Sequence, residues 1–226
     1  SEKLASLGRL ASGIAHEINN PLTGVLTYSS VLLEDLRDTE YREDLDVIVG
    51  ETLRCRKIVQ EILDFARETR LEKARVNLNG VIHDALSILE KNFNFQNVKI
   101  VRKFRDTIPE VWCDVNLFKS VINNLALNAA DAMPDGGTLE IATDYNEAED
   151  SVVLTFADTG SGISEEDLDK IFDPFFTTKE TGKGTGLGLA VSYGIVQRHK
   201  GIIDVKSSPG QGTTFTIMLP VAVIDA

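Results

Sequence analysis

The chain has 226 residues, 42% hydrophobic and 26% charged, which provides an ordinary core for one or two domains and is too apolar for a disordered chain. Its formal net charge of −12 excludes a nucleic-acid binder that works through a broad basic face, but not a phosphate ligand held by backbone N–H groups. The two cysteines, Cys55 and Cys113, make neither a metal spacing nor a disulfide framework and point to a reducing compartment. No apolar run approaches the ~20 residues that span a bilayer, and no signal peptide opens the chain. The sequence begins with Ser1 directly in a helical pattern, so it is expected to be a cytoplasmic piece of a longer protein.

From Ser1 to Glu72 the only proline is Pro21, and no glycine follows Gly50. Apolar or small residues recur in steps of three and four at Leu4, Leu7, Ala11, Ile14 and Ile18. The spacing slips at Pro21 and resumes at Leu22, Val25, Ser29, Leu32 and Leu36. A second stripe runs through Tyr41, Leu45, Ile48, Thr52, Cys55, Val59, Ile62 and Ala66. Two heptad-like helices with a turn near Arg37–Glu40 predict a helical hairpin. One hairpin has little to cover its seam, so dimerisation into a four-helix bundle is expected, with Cys55 in the core stripe of that bundle.

After Arg75 glycine becomes frequent and β-type runs appear at 98–104, 138–145, 151–158, 202–208 and 213–220. Helical patterns lie at 77–93, 116–132 and 187–199. This mixture predicts an α+β two-layer sandwich, a sheet with helices on one face. The expected division is 1–72 for the helical domain and 73–226 for the sandwich.

Three segments of the second half look like ligand machinery. In "NNLALNAADAM" (123–133) Asn124 and Asn128 share a helical face, a pattern that also suits two solvated amides. In "FADTGSGI" (156–163) a strand ends in Asp158 beside Gly160 and Gly162. That carboxylate could accept from an exocyclic amine, or the segment could be an ordinary turn. In "GKGTGLGLAVSYGIVQRH" (182–199) glycines at alternating positions open an amphipathic helix. Free N–H groups at such a start make an anion site to which Lys183 adds charge; a plain flexible loop is the alternative. The preceding "FDPFFTTK" (172–179) sets three phenylalanines beside a polar run, as the base of a lid requires.

Together these segments resemble the catalytic core of a bacterial sensor histidine kinase. "HEINNPL" (16–22) is similar to that family's histidine box and "NLALNAADAM" to its asparagine box. "DTGSGI" and "GTGLGLA" resemble its two glycine-rich boxes, and "FDPFFTTK" its phenylalanine box, in the family's order. The resemblance implies a dimerisation and histidine-phosphotransfer domain followed by a Bergerat-type ATP-binding domain. It implies ATP and Mg²⁺ as cofactors, with Asn128 as metal ligand, Asn124 nearby and Asp158 on the adenine amino group. Gly160 and Gly162 would let the first loop approach the nucleotide. Gly184, Thr185, Gly186, Leu187 and Gly188 would cradle phosphate, with Lys179 or Lys183 as charge partner. Phe172, Phe175 and Phe176 would anchor the lid. A homodimer and a response-regulator receiver domain are the implied partners. Two rivals, a Bergerat-fold ATPase without phosphotransfer and a degenerate docking scaffold, fit the intact boxes less well.

His16 lies two residues from Ile14 and from Ile18, so at about 100° per residue it points off the apolar stripe. Neutral imidazole, with its ordinary pKa near ~6.5, has a lone pair for attack on a phosphorus. Glu17 is placed to take the proton of the other ring nitrogen. Asn20, one turn on, is implied by the resemblance to hold a water for the reverse hydrolysis. Pro21 removes the donor for the Glu17 carbonyl, and a local kink is expected there. Neither His83 nor His199 has both an acid neighbour and an asparagine one turn on, and both are expected to be structural.

Overall fold

A computed structural model gives the architecture. It describes residues 2–66, 71–90, 95–179 and 184–222, apart from the side chains of 2–16, 57 and 61–66. The chain divides into two compact units, Ser1–Arg70 and Leu71–Ala226.

The first unit is a hairpin of α1 (Glu2–Asp35) and α2 (Arg42–Ala66). Between them Thr39 closes a turn, its N–H and hydroxyl both donating to the Leu36 carbonyl at 3.1 and 2.7 Å. α1 is one helix with Pro21 inside it. Nearby, the hydroxyls of Thr23 and Thr27 bond back to the carbonyls of Asn19 and Thr23, both at 2.8 Å.

Ser29, Leu45, Thr52 and Val59 are buried in the hairpin. Val25, Leu32, Tyr41 and Ile48, from the same two stripes, are exposed. Cys55, from the second stripe, is exposed as well. The reason is geometric: two helices cover only one seam of each other, and the remaining width of the apolar stripe has no partner within the protomer.

In the second unit β2 (Val98–Phe104), β4 (Gly137–Asn146), β5 (Ser151–Asp158), β7 (Thr213–Pro220) and β6 (Ile202–Ser207) form one sheet in that order. β2 pairs parallel to β4, and the other three pairings are antiparallel. Alternation along β4, β5 and β7 turns Leu139, Ile141, Leu154, Phe156, Phe215 and Ile217 into the core. α3 (Leu78–Leu89), α4 (Val115–Asp131) and α6 (Gly188–Arg198) cover that face with Leu78, Ile82, Phe118, Ile122 and Ile195. This is the two-layer sandwich expected from the sequence.

Three short elements fall below the reach of periodicity. β1 (Ala74–Val76) and β3 (Val111–Cys113) form a separate antiparallel pair, and α5 (Glu165–Leu168) is a single turn.

The β1–β3 pair leads into a buried polar cluster. Asp114 caps α4 by accepting from Leu117 N at 3.2 Å with Oδ1, while its Oδ2 accepts from Glu72 N at 3.1 Å. The Asp114 N–H donates to His199 Nε2 at 2.9 Å, and His199 Nδ1 lies 2.7 Å from the Ile195 carbonyl. That pattern requires a neutral ring with its proton on Nδ1. His199 is 3% exposed and lies edge-on to Phe118. It is structural, as expected. Burial lowers its pKa, and the nearby cations Lys73 and Arg198 act in the same direction, against Asp114 and the Ile195 carbonyl.

Because the folded pKa lies below the unfolded one, the unfolded chain takes the proton first. The stability His199 contributes is therefore complete above its ordinary pKa of about 6.5 and is lost as pH falls from there. Thermal melts at pH 7.5 and 5.5 should show a smaller acid-induced drop in His199→Gln than in the parent; an equal drop would remove His199 as the cause.

Candidate functional site

Two clusters of the second unit gather the residues singled out above, joined by the C-terminal end of α4. The first is built on Asp158, the last residue of β5. Its Oδ1 accepts from Gly160 N at 2.8 Å and from Thr213 N at 3.2 Å. Both bonds fall on one oxygen, so Oδ2 is the atom that remains to accept from a ligand. Burial raises the carboxyl's pKa, and the two N–H donors pull against that rise.

The loop after Asp158 is held on both sides. Ser161 N donates to the Ala132 carbonyl at 3.0 Å, and Gly210 N to the Ser161 carbonyl at 2.7 Å. Ile163 N donates to Ser207 Oγ, which donates to the Gly212 carbonyl, both at 2.8 Å. Gly162 (φ +70°) and Gly212 (φ +82°) are required here: a Cβ would overlap the Ser208 carbonyl at one and the Asp158 carbonyl at the other. Gly160 faces Ala132, one turn beyond Asn128, so the Asp158 corner adjoins the asparagine face of α4.

The second cluster lies between α4 and the start of α6. Asn124 Nδ2 donates to the Gly188 carbonyl at 3.2 Å and to Ser192 Oγ at 3.4 Å, tying α4 to the first turn of α6. Asn128 Oδ1 accepts from Lys179 Nζ at 3.2 Å, and the same ammonium lies 2.6 Å from Asp131 Oδ2. An ammonium can only donate, which orients the Asn128 amide with its oxygen toward Lys179.

Leu187 is buried and precedes α6, whose start has no side-chain cap. The N-cap residue Leu187 offers no side-chain oxygen to the first N–H groups of the helix, which suits them to an external acceptor. Leu187 N donates to Thr185 Oγ1 at 3.3 Å. Gly186 (φ +68°) crosses so close to Phe175 that a Cβ would meet that residue's backbone, and Phe175 N donates to the Gly186 carbonyl at 3.0 Å.

The phenylalanines differ. Phe172 packs on Tyr193 with ring centroids 5.3 Å apart, whereas Phe175 has φ 70° and is 60% exposed. Phe175 ties the loop through its backbone rather than its ring. Gly184 approaches the side chains of Thr177 and Lys179, so the two described ends of this loop meet.

Lys183 lies outside the described residues. Glu17 and Asn20 are exposed on α1 in the first unit, as is Pro21. His16 is in the same helix, and its side chain is among those not described. Two participants escaped the motif search. Thr213 could have been found from the Gly210 and Gly212 pair just before a strand; Asp131 carried no signal beyond its place one turn after Asn128.

The residues suit a Mg²⁺ that is shared with a phosphate ligand. Among the described residues no group of three or more His, Cys, Asp or Glu could hold a metal. Mg²⁺ usually takes only one or two protein oxygens alongside substrate phosphates and waters. Asn128 Oδ1 is a hard oxygen donor that already attracts a cation.

A mixed sheet under three helices, a strand-end carboxylate among glycines and an uncapped glycine-led helix define a nucleotide-binding domain of the Bergerat class. The family model described as "Histidine kinase-, DNA gyrase B-, and HSP90-like ATPase" matches residues 113–223, and "His Kinase A (phospho-acceptor) domain" matches residues 6–70. The sensor histidine kinase ZraS of Escherichia coli is 37% identical over 223 residues, covering 98% of this chain and 47% of that protein. The histidine kinase ThkA, in a crystal structure with the response regulator protein TrrA, superposes with a TM-score of 0.70 at 29% identity, covering 98% of this chain and 64% of that one. Full-length ShkA in complex with AMPPNP shares the fold with a TM-score of 0.81 at 24% identity, covering 96% of this chain and 47% of that one. This chain belongs to the histidine kinases of two-component systems. It spans about half the length of ZraS.

The glycine crossing can be tested by a matched pair. Gly210 has φ +75° with nothing within 4 Å of a Cβ, so Gly210→Ala should cost only about 1 kcal/mol for its left-handed backbone. Gly212→Ala adds the overlap with Asp158 and should cost about 3 kcal/mol or more. Urea unfolding of the two variants checks the difference.

Proposed function

We propose that this chain is the catalytic core of a protein-histidine kinase that uses ATP to phosphorylate its own His16 and passes the phosphoryl group to an aspartate of a response regulator. Residues 1–72 serve as the dimerisation and phosphotransfer domain, and 73–226 as the ATP-binding domain. The observation that carries this reading is the joining of the Asp158 corner, the asparagine face of α4 and the uncapped start of α6 in one unit.

Asp158 Oδ2 accepts from the adenine amino group, while Gly160 and Gly162 allow backbone to lie against the base. The N–H groups around Gly186 and Gly188 receive phosphate oxygens, with Thr185 and Leu187 shaping that turn. Lys179 and Lys183 add positive charge. Asn128 holds Mg²⁺ through Oδ1, and Asn124 positions the phosphate loop through its bond to Gly188. Bound Mg²⁺ supplies charge neutralisation of the triphosphate.

The His16 lone pair forms the N–P bond as the bond from phosphorus to the β–γ bridging oxygen breaks, and ADP leaves with that electron pair. Glu17 takes the proton from the other ring nitrogen. The phosphoryl group then moves to the regulator's aspartate. Asn20 orients a water for hydrolysis of the phosphorylated regulator, so the core also acts as a phosphatase. The exposed stripe of Val25, Tyr28, Leu32 and Ile48 supports a homodimer that buries it in a four-helix bundle.

With γ-labelled ATP and Mg²⁺ the protein should acquire acid-labile, alkali-stable label, and His16→Gln should acquire none. Retained label in that variant would refute the assignment. Asp158→Asn should weaken ATP binding about tenfold or more, measured by calorimetric titration.

A further inference from the structure

The Lys179 ammonium stands on the Asn128 amide oxygen, the atom assigned above to the metal, and Asp131 holds it there. Nζ is 2.6 Å from Asp131 Oδ2 and 3.2 Å from Asn128 Oδ1, with the lysine and aspartate side chains only 33% and 37% exposed. Thr177 Oγ1 accepts from Lys179 N at 3.2 Å, fixing the backbone from which the side chain reaches back to α4. A divalent cation on the same oxygen would lie within a few ångströms of the ammonium, where like charges repel strongly in a half-buried site. The ammonium and a metal ion could therefore not share that oxygen at the same time.

We propose that Asp131 is a positioning residue that parks Lys179 on Asn128 Oδ1, and that Lys179 must release this oxygen for a metal to be held there. The inference rests on the reading of Asn128 as a metal ligand. It implies that Lys179 is the site's own cation: metal-free nucleotide binds by drawing on its charge, and metal-bound nucleotide relies on it far less. Asp131 then sets how readily Lys179 leaves Asn128 and thereby how strongly nucleotide affinity depends on Mg²⁺.

The test measures the dissociation constant of ATP for the full chain by calorimetry, once with excess Mg²⁺ and once with excess EDTA. Lys179→Met should weaken binding in EDTA about tenfold, as loss of a charge-assisted contact does, and alter binding in Mg²⁺ much less. Asp131→Asn should tighten binding in EDTA severalfold, in the opposite direction. In the Lys179→Met background, Asp131→Asn should no longer change the ratio of the two constants. Melting temperatures of the ligand-free variants establish that each is folded.

Equal weakening in both conditions by Lys179→Met would make it a plain phosphate contact and overturn the proposal. An Asp131→Asn effect that persists without Lys179 would reduce Asp131 to a through-space charge and overturn it too. If the parent binds ATP with Mg²⁺ and these ratios do not move, this inference fails while the assigned function stands. If the parent binds no ATP in either condition, both fail.

Discussion

The second unit depends on one carboxylate oxygen. Asp158 Oδ1 collects an N–H from the loop that leaves β5 and another from the start of β7, and so fixes that loop at the end where the two strands pair. A buried carboxylate is costly unless hydrogen-bonded, and these two donors offset that cost. The donors can come this close only because Gly212 has no side chain to collide with the Asp158 carbonyl. The glycines of this region are thus a steric consequence of where the acid sits, and the loop conformation follows from them.

α4 connects that corner to the rest of the unit. Its N-terminus is capped by Asp114, which also holds the Glu72 N–H where the chain enters from the helical unit. Along its length it presents Asn124, Asn128 and Asp131, and just past its end the Ala132 carbonyl takes the Ser161 N–H. α6 is fastened to this helix at both ends, through Asn124 at its first turn and through His199 beside the α4 cap at its last. The α4 cap and the glycine loop are thus linked through two hydrogen-bonded helices, with no side-chain tie missing at either end of the pair.

Much of this was legible in the sequence because the patterns were long. The alternation in "SVVLTFAD" and "TTFTIMLP" gave β5 and β7 with their ends, and the three-four stripes gave both long helices. β1 and β3 were not legible, since three residues each cannot display a period, and their pairing depends on a partner about forty residues away. Asp158 could be picked out as a strand-end acid beside glycines, but its second donor, Thr213, lies 55 residues on and is a tertiary fact. Lys179 was singled out for its charge alone; its hold on Asn128 through Asp131 emerges only when the loop folds back on α4. The exposure of Cys55 in the hairpin was not legible, because a stripe fixes which residues share a face, not how much of that face a single neighbour covers.

The two thiols end up chemically unlike. Burial, with Asp114 adding to it, pushes the Cys113 thiol up to about 12, so at neutral pH it offers almost no thiolate to an electrophile. Cys55 lies open on α2 in the protomer, on the stripe that has no cover of its own. The chain therefore carries a single readily alkylated thiol, and it sits on the helical hairpin. A thiol-directed probe added at neutral pH therefore labels the helical unit and leaves the Cys113 corner of the second unit untouched.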